Sequence, residues 1–548
     1  MNSVSEVVAH VVADHVTEVF ALMGNGNAYF TDALARHGKV RMTGLRHEAG
    51  VIASADAYYR VSRKIAVATT TFGPGYTNTI TPLAEAAKSR TPMVFVVGDQ
   101  PTSGPRPWDV DQAAIAQSVG AVPLTVNQDN AASVTAEAFS IATEQRLPVT
   151  LFIPHDIGAA PAYQEPSAAG TLPSPESPAV DQKALAQAAN LLTGAKRPLI
   201  LAGRGAREAA GSLRELADRL GALTTSSAPA RGTFAGRPYD LGVCGGFASE
   251  GSAELIRQAD VILAVGAGLN QFTTAFNTQF APDAQLIQID LVSEPTNALV
   301  DVFAQARASE AVTGLLEMVA EHGVPTTPWD GAAEHARSSS LNFARETGDG
   351  QAPDGLLDPR SAMTRLNEVL PGNRQVVSDG GHFIGWSSYY FDLPAPDSLV
   401  MVGTQFQSIG LGLPSATGAA LARPESTTIV AVGDGGGSMG LPDLHALVHT
   451  AKSAVVLVFN DACYGAEIHQ YGSQGLDEAI MEIEQLDFAT IAKGFGAQGV
   501  AIHTMDDIEQ VTDWVAEGAQ GTLVVDLRIS RNIVAPYIEE IVELTIKR

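Results

Sequence analysis

Two apolar runs, Thr427-Thr428-Ile429-Val430-Ala431-Val432 and Ala454-Val455-Val456-Leu457-Val458-Phe459, each lead into an acidic turn: Gly433-Asp434-Gly435 after the first, Asn460-Asp461-Ala462-Cys463-Tyr464-Gly465 after the second. Continuous apolar runs of this length mark strands buried on both faces, the condition of a parallel sheet covered by helices. Asp434 and Asp461 are 27 residues apart, the span that leaves one strand, follows a helix and climbs the neighbouring parallel strand. Both carboxylates are therefore expected at one sheet edge. Gly435 and Gly436 let a diphosphate approach the backbone, and a helix opening near Pro442 would aim N–H groups at its oxygens. Two carboxylates beside a diphosphate make an all-oxygen donor set that suits Mg²⁺.

These paired turns resemble the diphosphate and magnesium motif of thiamine-diphosphate enzymes. Alone, Gly-Asp-Gly is an ordinary turn; the second half at this spacing carries the resemblance. It implies a metal held by Asp434, Asp461 and the main-chain carbonyl of Cys463, with Gly435, Gly436, Tyr464, Gly465 and Ala466 around the cofactor. The family more often has Asn at the second ligand, so Asp461 makes this site one charge more negative.

A block near the N-terminus is similar to the pyrimidine-binding segment of the acetolactate synthase and pyruvate decarboxylase superfamily. Leu45-Arg46-His47-Glu48-Ala49-Gly50 precedes a small-residue helix from Ala53, then a strand over 65–71, then Gly73-Pro74-Gly75-Tyr76-Thr77-Asn78. The resemblance implies that Glu48 hydrogen-bonds the aminopyrimidine ring and promotes loss of the thiazolium C2 proton, with Gly73 and Asn78 at the same end of the cofactor. By the same resemblance, Phe406-Gln407-Ser408-Ile409-Gly410 supplies Ile409 as an apolar wedge under the thiazolium and the Gln407 carbonyl as an acceptor. Gly381 and His382 match a loop that touches the diphosphate. The resemblance covers the whole chain and implies a homodimer or homotetramer with active sites shared between subunits.

The chain's 548 residues accommodate about three domains, and 45% apolar with 17% charged residues is a globular composition. A formal charge of −26 argues against nucleic acid or an anionic membrane as partner. Cys244 and Cys463 have no metal-like spacing. The N-terminus shows no basic region followed by an apolar stretch, and no apolar run reaches transmembrane length, so a cytoplasmic location is expected. Breaks rich in Pro, Gly, Ala and Ser at 159–180 and 322–358 divide the chain. The expected fold is α/β, with three doubly wound parallel-sheet domains: pyrimidine-binding over 1–165, middle over 182–325 and diphosphate-binding over 355–548.

In the middle segment, Leu199-Ile200-Leu201-Ala202-Gly203-Arg204-Gly205 is a strand entering a glycine turn, a partial dinucleotide fingerprint without its third glycine. Acetolactate synthases hold a flavin in this domain with an Arg after the strand matching 261–266; here Ala267-Gly268-Leu269 follows, so FAD is not expected.

Substrate choice rests on residues facing the thiazolium. Asn25 and Asn27, in Gly24-Asn25-Gly26-Asn27, match the first substrate-facing loop, where relatives carry proton-transferring residues. An Asn orients a carbonyl but does not shuttle protons. An Asn-Gly turn chosen for backbone reasons is the alternative. Glu467 matches the acid of pyruvate decarboxylases, and Ala466 matches the small residue of relatives that accept bulkier acyl groups. Gln470 stands where ordinary acetolactate synthases have a Trp. His47 and His469 read as hydrogen-bonded neighbours of the site, and Asp111 or Gln112 matches a Gln that approaches substrate. The resemblance implies an acetolactate-type carboligase/decarboxylase acting on 2-oxo acids or 1,2-diketones. A simple 2-oxo acid decarboxylase, favoured by Glu467, or a cyclic 1,2-dione hydrolase is the alternative. The presence of Glu48 and Asp434 argues against a non-catalytic relative.

Overall fold

The computed structural model describes residues 2–164, 177–320, 329 and 346–545. Within these residues the strands form three six-stranded, wholly parallel sheets. The first holds β1 (Glu18–Ala21), β2 (Arg41–Gly44), β3 (Val67–Thr70), β4 (Met93–Asp99), β5 (Val122–Thr125) and β6 (Pro148–Pro154), in the order β2-β1-β3-β4-β6-β5. The middle sheet holds β7 (Pro198–Ala202), β8 (Leu223–Ser226), β9 (Asp240–Val243), β10 (Val261–Val265), β11 (Gln285–Asp290) and β12 (Val302–Gln305), in the order β9-β8-β7-β10-β11-β12. The third holds β13 (Arg374–Ser378), β14 (Leu399–Val400), β15 (Thr427–Gly433), β16 (Ser453–Phe459), β17 (Gln498–Ile502) and β18 (Gly521–Leu527), in the order β14-β13-β15-β16-β18-β17. The stretches read as linkers fall largely on 165–176, 321–328 and 330–345, outside the described residues.

The first and third sheets thus share one topology, in which the winding direction reverses between the first strand and the third. Ligands of open parallel sheets bind outside the carboxyl ends of the strands at such a reversal. In the third sheet these are the ends of β13 and β15, where Asp379–His382 and Asp434–Gly436 follow. In the first they are the ends of β1 and β3, where the Asn25 loop and Gly73 follow. Topology alone therefore brings the candidate residues to two equivalent places.

Two helices begin earlier than their sequence pattern suggests. The helix Glu48–Ser62 starts at Glu48, because the His47 ring accepts the Ala49 N–H and caps it (3.1 Å). A helix over Asp434–Gly440 starts directly at the end of β15, rather than near Pro442. Gly435, Gly436, Gly437 and Gly440 give it poor intrinsic propensity, so tertiary packing holds it.

The helices Glu48–Ser62 and Gly412–Ala422 join the first domain to the third. A side chain at Gly418 would overlap the Ser54 carbonyl, and the Ser54 hydroxyl donates to the Pro414 carbonyl (2.7 Å). Beside them lies a buried polar network. Arg60 donates to both oxygens of Asp56 (2.6 and 2.8 Å), to Glu85 (2.9 Å) and to the Met401 carbonyl (2.8 Å). The other Glu85 oxygen accepts the N–H groups of Gln405 and Phe406 (2.8 and 2.7 Å). Burial pushes the Glu85 carboxyl up, but Arg60 and the hydrogen bonds outweigh it and leave the pKa lowered. Breaking one partner of such a pair costs about 3–5 kcal/mol. Glu85→Gln is therefore expected to move the first unfolding transition clearly to lower denaturant. An unchanged transition would show that the network contributes little.

Candidate active site

At the edge of the third sheet, Asp434 is 3% exposed and holds two turns together. One of its oxygens accepts the Gly435 N–H (2.8 Å), the other the Ala462 N–H from beyond β16 (2.8 Å). Burial, and then the charge of Asp461, raise the Asp434 carboxyl to about 7; burial raises Asp461 to about 6. Two carboxylates that oppose each other's ionisation in a desolvated place are a site a cation would stabilise. Among the described residues no group of three or more His, Cys, Asp or Glu side chains forms a metal cage. Two carboxylates and the Cys463 carbonyl leave the other positions of an octahedral ion to further oxygens, as Mg²⁺ with a diphosphate requires.

Gly435 and Gly436 have a second explanation besides phosphate approach. A side chain at Gly435 would lie 2.8 Å from the Tyr464 ring, and one at Gly436 would lie 3.0 Å from the Asp379 carboxylate. Asp379 in turn accepts the Gly380 and Gly410 N–H groups and fixes the end of the 403–410 loop. Within that loop Gln407 adopts a left-handed φ of 61° and Ile409 stays 42% exposed. An aliphatic side chain held so open invites an apolar surface against it.

His382 is buried, and its Nε2 accepts the Ala535 N–H (2.8 Å). Burial and the neighbouring His469 ring push its pKa down to about 3, so it is neutral and carries its proton on Nδ1. That nitrogen packs beside Gly465. The Tyr537 hydroxyl donates to the Gly381 carbonyl (2.7 Å). Ala535 and Tyr537 were not among the sequence candidates, and no motif marks them: only the return of the C-terminal helix Pro536–Thr545 to this edge brings them in.

A cavity of about 340 Å³ joins these groups. It is lined by Gly381, His382, Gln407, Ile409, Asp434, Gly435, Gly436, Asp461, Cys463, Tyr464, Gly465, Ala466, Glu467 and Gln470, with Phe272 and Thr273 of the middle domain opposite. Glu467 is exposed, on the helix Gly465–Tyr471.

The first-domain candidates form a separate cluster. Glu48 sits on the first turn of its helix and accepts from the Asn78 amide (3.0 Å). Gly73, at φ 60° and ψ −116°, makes the turn that only glycine adopts easily. Its N–H donates to Gln112 (2.7 Å), whose amide donates to the Gly98 carbonyl (2.9 Å). Gln112 thus supports the turn from beneath, and Asp111 caps the helix Gln112–Ser118. Asn25 is exposed. Asn27 requires a correction as a substrate-facing residue: it is 2% exposed, and its side chain closes the turn. Its oxygen accepts the Gly24 N–H (2.8 Å), and its amide donates to the Leu22 carbonyl and Thr69 hydroxyl (3.2 and 3.0 Å). None of the first-domain candidates lines the 340 Å³ cavity, whose described lining begins at Ala228.

Three family models match in succession: the N-terminal TPP binding domain of thiamine pyrophosphate enzymes over residues 2–119, their central domain over 185–326 and their C-terminal TPP binding domain over 379–527. The chain belongs to the thiamine-pyrophosphate-dependent enzymes. Among curated relatives it is 26% identical to the acetolactate synthase catalytic subunit of Saccharomyces cerevisiae, over 95% of this chain and 79% of that protein. It is 27% identical to the sulfoacetaldehyde acetyltransferase of Castellaniella defragrans (96% and 93%), and 26% to the acetolactate synthase isozyme 1 large subunit of Escherichia coli (85% and 83%). It is a thiamine-pyrophosphate enzyme related to acetolactate synthases, with the three α/β domains expected of one.

Proposed function

We propose that this thiamine-pyrophosphate enzyme, with Mg²⁺, cleaves the bond beside the carbonyl of a 2-oxo acid or 1,2-diketone and joins the acyl fragment to a second carbonyl, giving a 2-hydroxyketone. The observation that supports it best is one cavity in which the paired carboxylates Asp434 and Asp461, the open Ile409 and the side chains of Ala466, Glu467 and Gln470 all take part. Bound thiamine diphosphate supplies a nucleophilic carbon that also accepts the electron pair of a breaking bond.

The chain's residues do the rest. Asp434, Asp461 and the Cys463 carbonyl would hold the metal. Neutral His382 offers a hydrogen-bond donor without adding charge. Ile409 would support the reactive ring, and Glu48, which accepts from the Asn78 amide, would hold the proton exchanged with the cofactor's pyrimidine. That none of the first-domain candidates lines the described cavity supports bringing Glu48 and Asn78 to it from a second copy, in a homodimer or homotetramer. Two-fold symmetry presents both halves twice.

Glu467 favours a second reading, decarboxylation followed by proton delivery. It is an exposed acid on the cavity wall, and Asn25 on the other half cannot serve in that role. Purified enzyme incubated with a panel of 2-oxo acids and diketones, with and without an aldehyde acceptor, distinguishes the two by mass spectrometry. 2-Hydroxyketone products support ligation, and aldehyde alone supports decarboxylation. No turnover of any donor contradicts both.

Ala466 is half-buried in this wall. An added bulky side chain in a packed site costs about 1–3 kcal/mol. Ala466→Ile is therefore expected to lower kcat/KM for large donors about 10–100-fold relative to pyruvate. An unchanged donor profile would mean that Ala466 does not limit the acyl pocket.

A further inference from the structure

Asp443 stands at the head of the helix Leu444–Thr450, where an Asp ordinarily turns its carboxylate onto the first N–H groups of its own helix. It makes no such bond. Its Oδ1 instead accepts the N–H groups of Arg46 and His47 (2.7 and 3.3 Å), which lie 397 and 396 residues away in the chain and in the first domain. Its Oδ2 faces Gly50, where a side chain would overlap it. Gly50 is not at a left-handed φ, so the closeness of this carboxylate, not the backbone conformation, calls for glycine there. Asp443 therefore grips the chain on both sides of Glu48: the two residues before it and the second residue after it.

This placement is costly unless it is compensated. Asp443 is 1% exposed, and a carboxylate removed from water needs hydrogen-bond partners. Burial raises it to about 6, against the pull of the Arg46 and His47 N–H groups and of the charges on those two side chains.

A general tie between the first and third domains would explain the burial but not the address. The domains are already joined further along the same helix, where the Ser54 hydroxyl donates to the Pro414 carbonyl and Arg60, bonded to Asp56, donates to the Met401 carbonyl. Those contacts set the helix against its neighbour; Asp443 acts on its first turn. Glu48 lies on that turn, with its carboxylate accepting from the Asn78 amide (3.0 Å).

We propose that Asp443 is a positioning residue for Glu48, holding the 46–50 turn so that the Glu48 carboxyl stays aimed at the cofactor's aminopyrimidine. This rests on the proposed role of Glu48. The metal side of the site is not what it serves: Asp443 follows the Asp434–Gly440 helix in sequence, yet its carboxylate bonds the turn of the other domain.

Exchange of the C2 proton of bound thiamine diphosphate, followed by NMR in Asp443→Ser, Asp443→Asn, Glu48→Gln and the Asp443→Ser/Glu48→Gln double variant, tests this. Ser still suits the head of a helix but is too short to reach the turn. Asp443→Ser is expected to slow exchange and lower kcat by about tenfold or more, since small misplacements of a reacting group cost that much. Thiamine diphosphate affinity by calorimetry should stay close to wild type. Asp443→Asn keeps an acceptor oxygen for the two N–H groups and should recover most of the rate. In the Glu48→Gln background the Ser change should add almost nothing, because a residue that acts through Glu48 then has nothing left to position. Full additional loss in the double variant, or loss of affinity in step with kcat, marks a structural role and overturns the proposal. So does wild-type exchange in Asp443→Ser while Glu48→Gln is slow. Wild-type exchange in Glu48→Gln itself would instead remove the proposed role of Glu48, and this one with it. If the Asp443→Ser chain does not fold, Gly50→Ala, which pushes the carboxylate off the turn, is read in the same way, and failure of both to fold decides for a structural role.

Discussion

Glu48→Gln is expected to remove nearly all activity while leaving thiamine diphosphate binding largely intact. The amide has the size of the carboxyl and keeps an oxygen for the Asn78 amide, and on the proposed role it would still meet the pyrimidine nitrogen, so cofactor binding should survive. On the proposed role, what is lost is the acid that would exchange a proton with that nitrogen. Positioned acid–base groups contribute about 10²–10⁴-fold, and a fall in kcat of that order is expected. Exchange of the C2 proton of bound cofactor, followed by NMR, checks the assignment directly. Exchange at the wild-type rate in the variant would remove Glu48 from this role.

Asp434→Ala is expected to fail earlier, at cofactor binding. Loss of even an outer-shell partner of a metal typically costs about 10–100-fold in affinity, and a direct ligand should cost more. Asp434 also accepts the Gly435 and Ala462 N–H groups. Asp434→Asn keeps an oxygen for one of these bonds and isolates the charge. Calorimetry is expected to show weakened Mg²⁺-dependent thiamine diphosphate binding in both variants. Unchanged affinity in either would count against the metal site.

What could be read from residues alone followed from how rigidly the chain's geometry transmits spacing. A βαβ unit leaves little freedom between Asp434 and Asp461, so 27 residues with apolar flanks sufficed to bring both to one edge. The glycine run after Asp434 was harder. Its low helix propensity points away from a helix, and packing against Tyr464 and Asp379 decides the outcome. Asn27 and Asn25 look equivalent in sequence, yet one closes the turn from within and the other is open to solvent. Contacts between distant segments left no local trace: Ala535 on His382, or Glu85 on the backbone of 405–406. A buried carboxylate whose partners lie in another domain resembles any other Glu until the fold is known.

The most direct test of the shared active site uses the two inactive variants together. After subunit exchange, a mixed dimer of Glu48→Gln and Asp434→Ala chains contains one site with both intact halves and one with neither. If Glu48 and Asp434 act across the subunit boundary, random exchange of equal amounts is expected to restore about a quarter of wild-type activity. If both residues served the same site from one chain, every site would lack one of them. Mixed dimers demonstrated by mass spectrometry that stay inactive, or an active species that sediments as a monomer, would contradict the account.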